Sequence, residues 1–182
     1  MSAKRYAMAI DTRTCVGCTA CVIACKTEND LPDGFARNWI TEVGTGTFPN
    51  VELEIRSERC NHCDDAPCVA VCPTGASYVG PGGIVLVDAD KCTGCKACIA
   101  ACPYEARFVD PRTGTVDKCT FCVHRVENGI PTTACQEICP TESIWFGDVD
   151  DPDSEISRVL RAREHFTLLP EAGTTPRHYY LK

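Results

Sequence analysis

An α+β fold built from two related halves is what this sequence predicts, and three observations carry it. Sixteen of the 182 residues are cysteine, and they fall into four groups of four. Three of the groups close on Cys-Pro, at Cys72-Pro73, Cys102-Pro103 and Cys139-Pro140. Short apolar runs flank the groups in a repeating order, so that Ile10-Asp11-x3-Cys15 matches Val87-Asp88-x3-Cys92. Each unit therefore reads as a strand, a cysteine loop, a helical turn and a second strand.

The third group gives the loops their chemistry. Cys92-x2-Cys95-x2-Cys98-x3-Cys102-Pro103 is the bacterial-ferredoxin run for a [4Fe–4S] cluster, in which three thiolates wrap one cluster and the fourth reaches its neighbour. The first group, Cys15-x2-Cys18-x2-Cys21-x3-Cys25, keeps that spacing with Lys26 in place of proline. Without proline the turn continues helically over residues 26–29, until Pro32-Asp33-Gly34 breaks it. The second group is Cys60-x2-Cys63-x4-Cys68-x3-Cys72-Pro73. The fourth, Cys119-x2-Cys122-x12-Cys135-x3-Cys139-Pro140, carries an inserted loop over residues 123–134.

Sixteen thiolates in four groups supply four [4Fe–4S] sites with none left over. The cross-ligation rule then assigns them. Cys72, Cys92, Cys95 and Cys98 hold one cluster, and Cys60, Cys63, Cys68 and Cys102 hold its neighbour. Cys15, Cys18, Cys21 and Cys139 hold a third, and Cys25, Cys119, Cys122 and Cys135 the fourth. The predicted fold is two ferredoxin-like halves, each with two clusters. Residues 1–30 and 111–148 form the first and residues 56–110 the second. A hairpin insertion fills residues 31–55, with strands at 39–44 and 51–55, and a helix and tail occupy residues 149–182. No position is vacant for substrate at a cluster iron, so catalytic residues are not expected and the chain is read as non-catalytic.

Composition excludes other classes. The formal charge of −7 falls to about −15 once each all-cysteine site adds two negative charges, which argues against nucleic acid. Residues 1–13 have no apolar h-region or cleavage site, and no apolar run reaches membrane-spanning length, so neither a secretory signal nor a span is expected. Cysteines two apart within a turn are poorly placed to pair as disulfides. Zinc takes pairs of C-x2-C units rather than triads with a displaced fourth ligand. There is no haem motif, phosphate loop, flavin or dinucleotide fingerprint.

Other residues carry paired readings. His62 and His124 lie in or beside the groups, where hydrogen bonding to a cluster competes with an ordinary satisfied histidine. Lys26, Lys96, Lys118 and Arg125 offset cluster charge or form a solvated face, and Trp39 packs in the core. In the tail, Asp153 or Ser154 caps a helix running to about Arg163. The apolar segments 166–169 and 179–181 either strap their own domain or meet a partner.

Taken together, the four spacings resemble the iron–sulfur (beta) subunit of the dimethyl sulfoxide reductase superfamily. The phrases Arg5-Tyr-Ala-Met-Ala-Ile-Asp11, Cys60-Asn-His-Cys63, Cys72-Pro-Thr-Gly-Ala76 and Asp117-Lys-Cys-Thr-Phe-Cys122 look most like polysulfide reductase-type subunits, as do Gly147-Asp-x-Asp-Asp-Pro152 and Tyr179-Tyr180. The resemblance implies an electron wire between a molybdopterin catalytic subunit and a membrane-integral quinone-binding subunit. It places the Cys15/18/21/139 cluster nearest molybdenum. The order then runs through Cys25/119/122/135 and Cys60/63/68/102 to Cys72/92/95/98, nearest the quinone. It further implies export of the folded complex on the partner's twin-arginine signal to the extracytoplasmic face, with the cytoplasmic face as the alternative. A soluble polyferredoxin serving a hydrogenase or formate dehydrogenase, and a zinc-structured interaction module, are the competing functions.

Overall fold

Strand β1 (Tyr6–Asp11) organises the packing. Its alternating side chains serve two faces: Ala7 and Ala9 pack on one side, while Met8 and Ile10 enter the main core on the other. The computed structural model describes residues 4–182. After β1 come helix α1 (Ala20–Glu28) and the hairpin strands β2 (Asn38–Thr47) and β3 (Asn50–Arg59). Helix α2 (Pro67–Ala70), strands β4 (Ser77–Val79) and β5 (Val85–Val87) and helix α3 (Ala97–Ala100) follow. Next are β6 (Phe108–Val109), β7 (Val116–Asp117), α4 (Val123–Glu127) and α5 (Ala134–Glu137). The chain closes with β8 (Ile144–Asp148), α6 (Glu155–Ala162), β9 (His165–Phe166) and β10 (His178–Leu181).

One four-stranded sheet, in the order β8-β1-β10-β9, backs the molecule. β8 lies antiparallel to β1, with Met8 opposite Phe146, and β10 lies parallel to β1, with Ile10 opposite Tyr180. α6 covers the outer face, where Ile156 is fully buried with Ala7, Ala9 and Leu181. The inner face meets Phe121, Ile84, Leu86 and Tyr104. Three two-stranded ribbons complete the fold: β2-β3, β4-β5 and β6-β7.

The helices follow the punctuation in the sequence. α1 runs through Glu28 where no proline stops it, whereas α3 ends before Cys102-Pro103. α1 packs against α5, and α2 against α3. Ser154 caps α6 by accepting a hydrogen bond from the Ser157 amide at 3.2 Å.

Two expectations are corrected. The hairpin is longer than 39–44 and 51–55, because pairing continues out to Thr47 opposite Asn50 and in to Asn38 opposite Arg59. The inserted loop over 123–134 contains a helix, α4, which starts directly after Cys122. Trp39 packs against the main core, as the sequence suggested, though it is only partly buried. Of the tail's two apolar segments, 179–181 straps its own domain, since β10 is an interior strand with Tyr180 fully buried, whereas Leu169 of the other is exposed.

Candidate metal centres

The same backbone device recurs in the cysteine loops. Gly17 and Gly94 both take φ of 66°, and Thr19 and Lys96, two residues on, take 61° and 65°. These left-handed residues turn the loops of groups one and three tightly enough to aim three thiols inward. His62 and Phe121, at matching places in groups two and four, are left-handed as well. After each Cys-Pro, the residue three beyond the cysteine is left-handed too: Gly75, Glu105 and Glu142. Each of these three donates its amide to that cysteine's carbonyl.

The structure brings thiols from different groups together. Cys15, Cys18, Cys21 and Cys139 line one small hollow. Cys25, Cys119, Cys122 and Cys135 line a second, and Cys72, Cys92, Cys95 and Cys98 a third. Cys60, Cys68 and Cys102 are the electrostatic neighbours of Cys63. All sixteen cysteines are free thiols. Among the described residues no three His, Cys, Asp or Glu side chains converge as a single ion requires. A zinc ion would draw four sulfurs to about 3.8 Å of one another. Quartets that ring a space suit a polynuclear cluster instead.

The surroundings supply charge as well as shape. Burial pushes the Cys63 thiol up to about 11 and the Cys119 thiol up to about 12, so their thiolates need a cationic centre such as iron. Arg59, 1 % exposed, donates from Nη1 to Cys135 Sγ at 2.9 Å. Arg107, 5 % exposed, donates from Nη2 to Cys68 Sγ at 2.8 Å and to Ser77 Oγ at 2.9 Å. Burial acts to lower both guanidinium groups, but the surrounding sulfurs outweigh it and hold them above their usual values. Arg59 Nε, Arg107 Nε and Nη1, and both amide atoms of Asn38 beside the Cys25 quartet, have no protein partner. Buried guanidinium donors aimed among thiols fit an anionic cluster with sulfide acceptors.

Sequence reasoning missed Arg59 and Arg107. The one signal for Arg59 was its position immediately before Cys60. Of the four flagged cations, only Lys118 is buried, with Nζ donating to the carbonyls of Cys119 and Val85. Burial outweighs the nearby Cys60 sulfur and lowers its pKa. Lys26 pairs with Asp33, Arg125 with Glu28 and Glu137, and Lys96 borders the Cys72 quartet. His124 is an exposed partner of Glu28 at 2.8 Å. His62 is fully buried and stacks on Phe121 at 3.7 Å. Its burial, joined by Lys118 and Arg177, holds it well below the usual histidine pKa, so the ring is neutral. Nδ1 accepts the Val85 amide at 3.1 Å, which assigns the proton to Nε2.

Four thiol quartets on left-handed loops, with cations buried between them, define an iron–sulfur protein of ferredoxin type. The family described as a 4Fe-4S dicluster domain matches residues 51–149 and, in a second form, residues 14–76. Protein NrfC of Escherichia coli K12 is 46 % identical over 177 residues, covering 96 % of this chain and 79 % of that one. A polysulfide reductase component of Wolinella succinogenes is 45 % identical over 178 residues, covering 96 % and 93 %. A tetrathionate reductase component of Salmonella typhimurium is 44 % identical over 184 residues, covering 97 % and 72 %. The chain belongs to this family of 4Fe-4S iron–sulfur subunits of reductase complexes.

Proposed function

We propose that the chain carries four [4Fe–4S] clusters in line and passes electrons between a membrane-integral quinone-binding subunit and a molybdopterin catalytic subunit. A [4Fe–4S] cluster supplies one-electron redox chemistry when bound. The chain's own residues set the spacing, exclude water and balance charge. One observation carries the reading: each outer quartet has an exposed cysteine and neither inner one does, Cys102 being the one half-buried ligand of the inner pair. Cys18 and Cys95 are exposed, while Cys25, Cys119, Cys122 and Cys135 are all buried. Neighbouring quartets touch electrostatically in one order. Arg59 faces Cys21 as well as Cys135 and Cys119, Cys119 faces Cys60, and Cys98 faces Cys68. The wire then runs from Cys15/18/21/139 through Cys25/119/122/135 and Cys60/63/68/102 to Cys72/92/95/98, with the molybdenum partner at the first end.

Domain organisation follows the same logic. Groups one and four form one ferredoxin-like half (residues 1–30 and 111–148), and groups two and three the other (56–110). In support, β1 before group one pairs with β8 after group four, as β5 before group three pairs with β4 after group two. The β6-β7 ribbon ties the halves together, since its strands come from different halves. The hairpin (31–55) and the C-terminal helix and tail (149–182) are additions to that pair. Among the described residues no helix is long and apolar enough to cross a membrane. Membrane association through partners, on the extracytoplasmic side, is part of the same proposal and rests on the family resemblance.

Cysteine-to-serine variants of the full chain test the assignment. Cys102→Ser and Cys63→Ser are expected to abolish the same EPR signal, while Cys102→Ser and Cys98→Ser abolish different ones. The wild-type chain should contain roughly sixteen iron and sixteen sulfide. If Cys102→Ser instead removes the signal shared by Cys92, Cys95 and Cys98, the cross-ligation scheme is wrong.

A further inference from the structure

Among the described residues three cations buried beside the thiols lack an acidic partner, and each stands at a different gap in the series of quartets. Arg59 hydrogen-bonds Cys135 Sγ at 2.9 Å and faces Cys119 in the second quartet. It also faces Cys21 of the first, whose Sγ lies 3.4 Å from Ser57 Oγ, the hydroxyl that Arg59 Nη2 also engages. Lys118 lies against Cys119 of the second quartet and faces Cys60 and Cys68 of the third. Arg107 hydrogen-bonds Cys68 Sγ at 2.8 Å and faces Cys60 and Cys102 of the third quartet, with Cys98 of the fourth on its other side. Three gaps separate four quartets, and each holds one cation.

No carboxylate accounts for these charges. The hydrogen-bond acceptors of Arg59, Lys118 and Arg107 are sulfurs, hydroxyls and carbonyls. Their ion-pair partners are absent among the described residues, whereas Arg37, Arg112, Arg125 and Arg177 all pair with acids. A buried cation without a counter-charge is strongly unfavourable, so its balancing anion must be what the thiols hold. A cation between two anionic clusters favours the extra negative charge on either one, and it acts on both through the low-dielectric interior.

We propose that Arg59, Lys118 and Arg107 are positioning charges for electron transfer, each raising the reduction potentials of the two clusters it separates. This rests on the reading that the quartets hold clusters, and it goes beyond that reading by assigning potentials to residues that are not ligands. It also explains why the cations are buried and single. A solvated lysine such as Lys96 is screened and acts weakly.

The test is redox titration of the full-length holoprotein by EPR, with each cluster identified through the cysteine variants above. Arg59→Gln is expected to lower the midpoints of the Cys15/18/21/139 and Cys25/119/122/135 clusters and to leave the other two in place. Lys118→Gln should lower the two inner clusters, and Arg107→Gln the Cys60/63/68/102 and Cys72/92/95/98 pair. The expected size is at least a tenfold fall in the reduced-to-oxidised ratio at fixed potential, which is 59 mV for one electron. Full iron content with unmoved midpoints, or a uniform shift of all four clusters, would overturn the proposal. Where a glutamine variant loses iron, Arg59→Lys, Arg107→Lys or Lys118→Arg decides. These keep the charge and should keep wild-type midpoints, so a tenfold shift in them rules out charge as the cause. A wild-type chain without four clusters refutes the proposed function itself, independently of any midpoint.

Discussion

Cys72 and Cys139 occupy the same place in two Cys-Pro-Thr turns, and the structure gives both a similar set of donors. The Ser77 amide lies 3.3 Å from Cys72 Sγ, and the Ser143 amide 3.4 Å from Cys139 Sγ. The Ser77 amide is the main reason the Cys72 thiol sits below its usual pKa. At Cys139 burial pushes upward, but the Thr141 hydroxyl and the Ser143 amide outweigh it. Hydrogen bonds to a ligand sulfur favour the more reduced cluster. Thr141 Oγ1 lies 3.6 Å from Cys139 Sγ within a half-buried chain of hydroxyls that continues through Ser143 to Thr14. Thr74 Oγ1 lies 3.7 Å from Cys72 Sγ but is exposed. Thr141→Val should therefore lower the midpoint of its outer cluster by up to about 1 kcal/mol, or ~40 mV, and Thr74→Val by less. EPR titration of both variants checks the order, and a larger shift for Thr74→Val would contradict it. At this scale the ligands were legible because cysteine spacing encodes them directly. Arg59 was not, since Arg56-Ser-Glu-Arg59 reads like the solvated end of a strand and only the fold reveals which arginine turns inward.

Loops and helices show how far the repeat is physical rather than a pattern of letters. Gly17 and Gly94 share φ of 66°, a region that disfavours any Cβ by about 1 kcal/mol. Their surroundings differ. A Cβ on Gly17 would meet Ile55 Cγ2 at 3.4 Å, an ordinary contact. A Cβ on Gly94 would stand 2.5 Å from the Gly114 carbonyl oxygen. That oxygen belongs to the tight turn joining β6 to β7, where the Gly114 amide bonds the Asp110 carbonyl at 2.8 Å, so it has little room to retreat. Gly17→Ala should keep four clusters and lose only about 1 kcal/mol of stability. Gly94→Ala should lose the Cys72/92/95/98 cluster, read as a fall of about a quarter in iron per chain. Equal iron in the two variants would show that the β6-β7 turn yields. The strand and helix types were readable from proline placement and apolar runs. The hairpin's length and α4 were not, because the Gly-Thr-Gly-Thr stretch looks like a loop and the inserted segment offers no strong period.

The whole molecule depends on metal more than on oil. Its main apolar cluster includes Cys21, Cys60, Cys63, Cys119 and Cys135, so much of what is buried there is ligand. The part without cysteine is small: Ala7, Ala9, Ile156 and Leu181 under α6. Arg59, Lys118 and Arg107 are each no more than 5 % exposed, and none has a carboxylate beside it. Leaving a buried charge without its partner costs about 3–5 kcal/mol. Three such losses are on the order of 10 kcal/mol, as large as the ~5–15 kcal/mol that separates a folded domain from its unfolded chain. Removal of iron should therefore unfold the protein as a whole, not merely empty its sites. Anaerobic chelation followed by circular dichroism is expected to show loss of iron absorbance and of secondary structure with one time course. Refolding should require iron and sulfide together. A chelated chain that kept its native spectrum and a cooperative melt would mean that the cations find other partners without the clusters. In that case the electrostatic reading of the core would have to be abandoned along with the prediction.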